Sequence, residues 1–482
     1  MIPQSGPSAS LAAPGTPGIW VWIAWMAAVC IASWLALASL ALLAAPFWIR
    51  YVIRRITHRA VWLWFTESYS KNLMESITAL RKFGLEWTVE NELRAQDGRP
   101  LFKPIGTARP FPHFDGLLFS PAQLQRRPLD HISAVSLETV VGRRATRPMV
   151  LSMPVMVTAM GYGVALSKPF ARAIARGSAM VQTACNTGQG PVLPEFRDLA
   201  HRLVIQYHGG AWRSPAEMLS QADMIEIRLG QGANAGCGTV VPMSGLPPEV
   251  RHDFGLPHPE DVGYIPAGLP EVQRRHDLKR LVRQLRQIAR GAPIAVKLAA
   301  SHHLEQDLRM AADAGADVIV IDGAQGGTHS SPAILVDDFG LPTLAALCRA
   351  VKWLRAARLD GEIDLVVSGG IRTPGDALKA IALGADAVYI GTAALFATMH
   401  TQITKVIPFE PPTQLAWADG AFTAKFDEEE GAQSLAKFLT AWAEEMRLGL
   451  RALGKTSLHD VDAADLVAWQ PEVARITGLP LI

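Results

Sequence analysis

The chain alternates short apolar runs with helix-forming stretches, and this alternation limits its fold more than any other feature. Stretches with helical periodicity, such as residues 306–314 and 376–383, lie between most of the apolar runs. Strands that are apolar on both faces are typical of a buried parallel sheet. Eight strand–helix units over about 250 residues therefore predict an α/β fold, the (β/α)₈ TIM barrel. The eight runs are residues 149–158, 180–184, 202–206, 224–228, 294–298, 318–321, 365–367 and 388–390.

An open, doubly wound parallel sheet is the alternative for such a pattern. It is disfavoured because no run is followed by a G-x-G-x-x-G turn with an acidic residue downstream. The 482 residues, of which 49% are hydrophobic, suffice for one large domain with additions. The 46 basic and 44 acidic residues give a net charge of +2, so nucleic acid is not predicted as a partner.

The four cysteines are too few and too scattered for a disulfide framework or a zinc site. They are Cys30, Cys185, Cys237 and Cys348, and none belongs to a C-x-x-C pair. We therefore expect reduced thiols in a cytosolic domain and no metal. A nucleophilic role for Cys185 or Cys237 would need a paired base, and the sequence shows none.

One segment near the N-terminus carries no charge at all. Residues 19–49 exceed the ~20 apolar residues needed to cross a bilayer but fall short of the ~40 needed for two crossings. Trp20, Trp22 and Trp25 near one end and Trp48 near the other resemble interfacial aromatic belts. We therefore predict a single transmembrane helix here. The alternative, a buried core helix, rarely runs this long without a charge.

The charges beside this segment predict its orientation. Residues 1–49 contain no Lys or Arg, and four arginines follow directly, namely Arg50, Arg54, Arg55 and Arg59. By the positive-inside rule, residues 1–18 form an extracytoplasmic N-terminus, and the catalytic domain lies in the cytoplasm at the cell membrane. A cleaved signal peptide is not expected, because its basic start and its shorter apolar core are both missing.

The rest of the chain divides into three regions, and the middle region contains an insert. The aromatic residues that follow the span either lie on the membrane surface or pack on the catalytic domain. A Gly- and Pro-rich connection is too long for an ordinary loop and indicates a lid or a binding loop. An amphipathic pattern at residues 433–453 predicts a late helix. We expect a juxtamembrane helical region at 50–110, the barrel at 111–405, its lid-like insert at 231–275 and a C-terminal helical tail at 406–482.

The loops after the seventh and eighth strands carry glycine where such barrels hold phosphate. Gly369 and Gly370 let backbone N–H groups approach phosphate oxygens, and Arg372 can neutralise the charge. Alone, this turn could be a plain strand-to-helix connection. The following G-A-D-A-V-Y-I-G-T, which ends in Gly391 and Thr392, favours the phosphate site.

Lys297 interrupts an otherwise apolar run, residues 294–299. A lysine near the end of a barrel strand is seldom there for packing, because an unpaired buried charge is costly. In a flavin-binding barrel, a cation here can face the N1–C2=O edge, where negative charge collects on reduction. The alternative is a side chain that extends to solvent past the barrel end.

The loop after the sixth strand reads D-G-A-Q-G-G-T-H-S-S-P from residue 322. Gly326 and Gly327 suit a tight turn over a planar ligand, and the polar side chains can face a substrate. Gln325 and His329 are therefore candidate catalytic residues beside Lys297. A lone loop histidine is also compatible with a simply solvated side chain.

Together these motifs resemble the FMN-binding synthase domain of glutamate synthases, in a stand-alone form. The resemblance runs from about residue 100 to the C-terminus and is closest in GGIRT…GADAVYIGTA, residues 369–393. Several FMN barrels share GGIRT. The combination with Q-G-A at 231–233, V-K-L at 296–298 and G-G-T at 326–328 is more specific.

The family's turns correspond to four loops of this chain, at residues 160–167, 186–191, 231–239 and 323–329. The first, M-x-x-G-A-L-S, has one extra residue, and the second, N-S-G-E-G-G, has Gln189 at its acidic position. The resemblance implies FMN as the cofactor. The FMN-binding residues that it implies are Met160, Gly161, Gly163, Asn186, Gln231, Lys297, Gly326, Gly327, Gly369, Gly370, Arg372, Gly391 and Thr392.

The resemblance implies an oxidoreductase that reduces an imine of 2-oxoglutarate, or of a related 2-oxo acid, to an amino acid. Several polar positions near the expected substrate differ from the family's pattern. The family's large enzymes carry three cysteines for an iron–sulfur cluster where residues 398–482 have none, and a glutaminase where this chain has its membrane segment. Ammonia or an amine is therefore expected from elsewhere, and the electrons from a separate partner or a small diffusible reductant.

Two other functions stay open from the sequence. An FMN-dependent hydroxy-acid oxidase or dehydrogenase would use a histidine base, and His302, His303 and His329 are candidates. A membrane-tethered flavin-binding protein without its own chemistry is the other.

Overall fold

The computed structural model describes residues 18–482, so the predicted extracytoplasmic N-terminus lies outside the described residues except for Gly18. The chain divides into two compact units, and the second runs from Pro100 to Ile482.

The first unit is helical throughout most of its described part. Its long helix, Ile19–Thr66, continues well beyond the predicted span of residues 19–49. Among the described residues it is the one helix long and apolar enough to cross a membrane, and no residue of its most apolar window is buried. Helices Met74–Phe83 and Leu85–Asp97 follow.

The second unit is built on a closed barrel of eight parallel strands that follow one another in chain order. The barrel closes between the eighth and the first strand, where Val388 lies opposite Val155. The predicted (β/α)₈ TIM barrel is confirmed. The strands are β1 (Val155–Ala159), β2 (Ala184–Asn186), β3 (Arg202–Tyr207), β4 (Met224–Arg228), β5 (Ile294–Ala299), β6 (Val318–Asp322), β7 (Asp364–Ser368) and β8 (Ala387–Ile390).

Helices alternate with the strands and bury the strands' outward side chains. Inward side chains such as Val204, Met224 and Val320 fill the barrel and are fully buried. Burial of each side chain of this size contributes roughly 1.5–3 kcal/mol. The helices are Lys168–Met180, Pro194–Leu199, Ala216–Leu219, Arg275–Ile288, Leu304–Ala314, Thr343–Ala357, Pro374–Ala382 and Thr392–Met399.

The predicted strand at residues 149–158 is two strands. Met149–Leu151 pairs antiparallel with Thr139–Val141, and only the later residues enter the barrel as β1. Pro154, which has no N–H group to donate, lies between them. The hairpin's inner side chains pack with the innermost barrel residues. It therefore plugs the N-terminal end of the barrel.

The second predicted strand, at residues 180–184, begins later than expected. Met180 ends the preceding helix, and β2 begins at Ala184. Gln182 between them has a φ of 56°, a left-handed conformation that an extended strand cannot contain.

The insert at residues 231–275 has regular structure of its own, whereas the sequence suggests a loop without any. Phe254 packs edge-on against Trp212 with ring centroids 4.7 Å apart, and Asp253 accepts a hydrogen bond of 2.7 Å from the Tyr162 hydroxyl. The insert therefore covers the loops that follow β1 and β3. Its elements are the antiparallel strands Thr239–Pro242 and Val262–Ile265 and the short helix Pro248–Asp253.

The ends of the second unit fold back onto the barrel. Helix Glu428–Ala452, predicted at residues 433–453, packs along helix Lys168–Met180. Leu117–Phe119 pairs with Leu466–Ala468, and Phe102–Lys103 pairs with Ser331–Pro332. The residues that precede the barrel thus lie against the loop that follows β6.

Candidate active site

A layer of polar side chains lies inside the barrel, above its apolar interior. Alternate residues of a strand face the same side, so these positions share the inward face of the buried valines, alanines and methionines. All of them lie at the carboxyl ends of the strands, where barrels of this type bind ligands. The layer consists of the buried residues Asn186, Gln206, Glu226, Arg228, Lys297, Asp322, Ser368 and Tyr389.

Glu226 is the centre of one half of this layer. One carboxylate oxygen accepts hydrogen bonds from Asn186 Nδ2 at 2.9 Å and Gln206 Nε2 at 2.7 Å. The Tyr389 hydroxyl accepts from Asn186 Nδ2 at 3.3 Å. Burial, and then the charge of Glu226, raise the pKa of Tyr389 well above its usual value, so its hydroxyl stays protonated.

Lys297 lies in the other half of the layer. Its side chain is 3% exposed, and its Nζ is 3.6 Å from Asp322 Oδ2 and 5.8 Å from the Tyr389 ring centroid. The alternative in which the lysine extends to solvent is therefore wrong. Asp322 Oδ1 has no hydrogen-bond partner among the described residues, so this acid retains capacity for a ligand.

Arg228 completes the charge balance of the layer, with two cations and two carboxylates. Its Nε donates to Gln231 Oε1 at 3.3 Å, and its terminal nitrogen donates to Asn234 Oδ1 at 3.0 Å. Burial lowers the pKa of Arg228 to about 10, and the charges of Asp322 and Glu226 oppose that shift. The guanidinium is therefore still charged at neutral pH.

His208 lies directly after β3 and two residues beyond Gln206, so it continues the inward face of that strand. Burial, and then the charge of Arg228, lower the pKa of His208 to about 4, so the imidazole is neutral at pH 7. The Gly210 N–H group donates to its Nδ1 at 3.1 Å, which leaves the ring proton on Nε2.

The sequence reasoning missed Arg228, Glu226, Asp322 and His208 as site residues. The signal that identified Lys297, a charge inside an apolar strand, also applies to Glu226 and Arg228 in M-I-E-I-R. Alternation along the strand then places both on the inward face. Thus β4 carries two inward charges where the other apolar strands carry none or one.

The glycine loops after β7 and β8 have the conformation that a phosphate cradle needs. Gly369 and Gly370 have φ values of 112° and 73°, and a Cβ at Gly370 would lie 2.8 Å from Gln325 Cβ. Helix Pro374–Ala382 begins here, capped by Thr373 Oγ1, and helix Thr392–Met399 begins at the second loop. Two helix N-termini and open backbone favour an anion here.

Arg372 lies at this loop but is already paired. Its terminal nitrogen is 2.7 Å from both Asp115 carboxylate oxygens and 3.0 Å from His113 Nδ1, and its side chain is 57% exposed. The guanidinium expected beside the phosphate thus contacts the segment that precedes the barrel.

The loop after β6 carries the other two predicted catalytic residues, Gln325 and His329. It lies at the mouth of the barrel, the end formed by the carboxyl ends of the strands, and the two side chains are held there by different contacts. Gln325 Oε1 accepts from the backbone N–H and the hydroxyl of Thr343 at 2.8 and 2.9 Å, which leaves its NH₂ group unengaged among the described residues. His329 Nε2 is 3.6 Å from Asp419 Oδ1, and its ring lies edge-on to Trp417.

The remaining candidate bases and nucleophiles lie outside the buried polar layer. His302 and His303 are exposed on the turn before helix Leu304–Ala314. Cys185 is buried, and burial raises the pKa of its thiol to about 12. Cys237 is exposed in the insert.

The predicted flavin loops contact one another across the mouth. A Cβ at Gly161 would lie 2.7 Å from the Gly190 nitrogen, and a Cβ at Gly327 would lie 2.9 Å from Thr392 Oγ1. A Cβ at Gly232 would lie 1.8 Å from the Gly323 carbonyl oxygen. Only glycine permits these approaches, so the loops after β1 and β2, and those after β4 and β6, form continuous walls.

Gly232→Ala should therefore separate the loops after β4 and β6. We expect the free energy of unfolding to fall by about 2 kcal/mol and the flavin content to drop, because the backbone must move. Thermal denaturation and the flavin-to-protein ratio measure both. Gly245→Ala is the matched control in the same insert, since its Cβ would have 3.6 Å to the nearest atom. Equal behaviour of the two variants would contradict the packing argument.

These features define a class of protein, the (β/α)₈ barrel oxidoreductases that bind a flavin mononucleotide at the carboxyl ends of their strands. The residues fit FMN, because a glycine cradle with two helix N-termini suits its phosphate and a buried cation lies at the mouth. The family model described as the conserved region in glutamate synthase matches residues 121–456. The chain belongs to the glutamate synthase family and is an FMN-dependent oxidoreductase of that type.

Relatives of similar length support this assignment. A glutamate synthase large subunit-like protein of Rhizobium meliloti is 34% identical over 405 residues, which cover 78% of this chain and 89% of that protein. An archaeal-type glutamate synthase [NADPH] of Thermotoga sp. is 31% identical over 82% of this chain and 81% of its own. Membership of the family implies a 2-oxo acid, a nitrogen donor and an electron donor.

Solved structures are more distant. A flavocytochrome b2 mutant with pyruvate bound is 17% identical over 73% of this chain and 76% of its own, with a TM-score of 0.48.

Proposed function

We propose that this protein reduces the imine formed from 2-oxoglutarate, or a related 2-oxo acid, with ammonia or an amine, and releases an amino acid. The observation that carries the proposal is the buried, charge-balanced layer of Glu226, Arg228, Lys297 and Asp322 below a glycine phosphate cradle. Bound FMN supplies the hydride. The chain's own residues bind the reactants, orient them and exclude water.

We assign the cofactor contacts to the predicted loops. The loops after β7 and β8 would hold the phosphate through backbone N–H groups, and the remaining loops would enclose the ring system. The proposed FMN-binding residues are Met160, Gly161, Gly163, Asn186, Gln231, Lys297, Gly326, Gly327, Gly369, Gly370, Gly391 and Thr392, with Arg372 beside them.

Three residues are proposed to act in the reaction. Lys297 would stabilise the negative charge that accumulates on the reduced ring. Gln325, with its oxygen held by Thr343, would present its NH₂ group to the substrate. His329, beside Asp419, would exchange a proton with the bound amine or the departing water.

The substrate carboxylate would bind near Arg228. This guanidinium is fixed by Gln231 and Asn234, and Asn234 stands where the family's loop motif has lysine. A fixed, buried arginine is well suited to a carboxylate, because its charge and its fork geometry match both oxygens. The altered loop suggests a 2-oxo acid or amine related to, rather than identical with, the pair used by the large enzymes.

Anaerobic reoxidation of the reduced flavoprotein tests the proposed reaction. The flavin is photoreduced and then mixed with 2-oxoglutarate plus ammonium, or 2-oxoglutarate plus methylamine. We expect the oxidised flavin spectrum to return only when both reactants are present, with glutamate or its N-methyl derivative detected by mass spectrometry. Reduction of the oxidised flavin by a 2-hydroxy acid instead would favour a hydroxy-acid oxidase. No reaction in either direction would favour a binding protein.

Helix Ile19–Thr66 supports a membrane location. Its apolar residues are exposed along its length, and the charges begin only at Arg50. We propose that residues 19–49 span the cell membrane once, that residues 50–110 follow it on the cytoplasmic side, and that the barrel is cytoplasmic. The electrons and the ammonia or amine would then come from separate cytoplasmic or membrane partners.

A further inference from the structure

The segment that precedes the barrel, residues 113–115, is fastened to the helix that follows β7 and to the C-terminal tail. Lys379 Nζ donates to the Phe114 carbonyl at 3.0 Å, and Trp469 Nε1 donates to the Asp115 carbonyl at 2.7 Å. His113, at the start of this segment, is buried with 8% of its surface exposed. The backbone that follows His113 is therefore held in place, and the imidazole contacts the loop after β7 at Gly370 and Arg372.

Two hydrogen bonds determine which nitrogen of His113 carries the proton. Arg372 lies 3.0 Å from Nδ1, and a guanidinium can only donate, so Nδ1 must accept. The proton is therefore on Nε2, which donates to the Gly370 carbonyl at 2.8 Å. Two carboxylates hold the arginine for this purpose. Asp115 accepts from its side chain, and Asp376 accepts from its backbone N–H at 3.0 Å.

The carbonyl that His113 fixes controls the direction of the next N–H group. Gly369 and Gly370 are both left-handed, and glycine leaves such a turn with little conformational restraint of its own. In a trans peptide the carbonyl and the following N–H point in opposite directions. The Ile371 N–H group therefore points away from His113. Within residues 18–482, neither it nor the Gly370 N–H group donates a hydrogen bond.

We propose that His113, oriented by Arg372 and Asp115, is a positioning residue that aligns the Ile371 N–H group for the phosphate of FMN. The inference rests on the proposed assignment of the phosphate to this loop. It gives Arg372 an indirect role in place of a direct contact with phosphate. A metal ion is not needed to explain the cluster of His113, Asp115 and Asp376, because the Arg372 guanidinium already contacts the first two.

The chain of contacts from Asp115 through Arg372 to His113 is called the relay below. The FMN affinity that it supports should depend on pH. Asp115 and Asp376 are the carboxylates that face His113, and Arg372 is the facing cation, with Lys379 behind it. Burial keeps the pKa of His113 below 6.5, so the ring is neutral at pH 7 and the relay is intact. Protonation turns Nδ1 into a donor, which ends the bond from Arg372. FMN affinity should therefore fall as the pH falls through the pKa of His113.

Affinities of the full-length apoprotein for FMN and for riboflavin, which lacks the phosphate, test the proposal. His113→Leu leaves the Gly370 carbonyl without its donor and should weaken FMN binding roughly tenfold while riboflavin binding stays unchanged. His113→Gln keeps a donor and an acceptor, so it should restore most of the FMN affinity. It should also remove the part of the pH dependence that exceeds the titration of the phosphate itself.

The possible outcomes distinguish an error in the phosphate assignment from an error in the role of His113. If the unmodified protein binds FMN and riboflavin equally well, the phosphate assignment is wrong. If FMN is preferred but His113→Leu leaves that preference intact, only the relay is wrong. Equal losses for FMN and riboflavin, or a His113→Gln variant with the full pH dependence, would also overturn the relay, because they indicate general destabilisation or another titrating group.

Discussion

Replacing Lys297 by methionine should lower the two-electron midpoint potential of the bound flavin by roughly 60 mV. The lysine Nζ is buried beside Asp322, and its charge attracts the electrons that enter the ring. At an effective dielectric of about 20, unit charges roughly 6 Å apart interact by about 3 kcal/mol. Because that term is present mainly in the reduced state, methionine should leave the binding of oxidised FMN nearly unchanged and slow hydride transfer at saturating substrate.

Spectroelectrochemical titration of both proteins measures this effect directly. Lys455→Met is the matched control, because Lys455 is also buried and paired with a carboxylate, Asp465, but lies in the C-terminal tail. That variant should lose stability while the potential stays the same. Lys297→Arg, which keeps the charge, should retain most of the potential. If Lys297→Met and the parent have equal midpoints, the proposed role of the lysine is wrong whatever happens to activity.

Removal of residues 1–50 should move most of the protein from the membrane fraction to the soluble fraction. At 1.5 Å per residue, the uncharged part of helix Ile19–Thr66 is long enough to cross a hydrocarbon core of ~30 Å. No other helix of the described residues has this property. Partition after ultracentrifugation, with and without a carbonate wash, gives the result. A full-length protein found wholly in the soluble fraction would remove the transmembrane assignment.

A second truncation separates the span from the helices that follow it. Removal of residues 1–99 leaves the compact unit from Pro100 to Ile482 and should give a soluble protein that keeps FMN. If the shorter truncation still sediments with membranes and the longer one does not, residues 51–99, which carry many exposed apolar side chains, bind the membrane surface.

Protease accessibility tests the orientation independently. The four arginines from Arg50 to Arg59 should stay in the cytoplasm, since transfer of each across the bilayer core costs about 2.5–3.5 kcal/mol. Protease added to spheroplasts should therefore spare the barrel, and protease added to inverted vesicles should cut it. Cleavage in the spheroplasts alone would reverse the topology.

The sequence alone predicted the barrel because its signal is local and repeated. Each strand is a short apolar run followed by a helix, and no long-range information is needed to recognise eight of them. The predicted strand boundaries were wrong where one apolar run contains two separate strands. The run at 149–158 includes the hairpin that plugs the barrel as well as β1, because both bury apolar side chains in the same interior.

The glycine turns after β7 and β8 and the inward position of Lys297 could also be predicted from sequence. Consecutive glycines before a helix, and a charge inside an apolar strand, are visible in a few residues. Glu226 and Arg228 were detectable by the same rule. The partners of Glu226 and Lys297 were not, because Asn186, Gln206 and Asp322 belong to other strands and meet only when the barrel closes.

The tertiary structure decided what the charged groups contact. Arg372 has the sequence context of a phosphate ligand, yet the segment before the barrel brings Asp115 and His113 to it from more than 250 positions away. His208 is neutral because burial removes its water and a backbone N–H group occupies Nδ1. Hydrogen-bond partners, burial and local charge depend on residues distant in the chain, so sequence can indicate where the chemistry lies while only the folded chain fixes protonation and pairing.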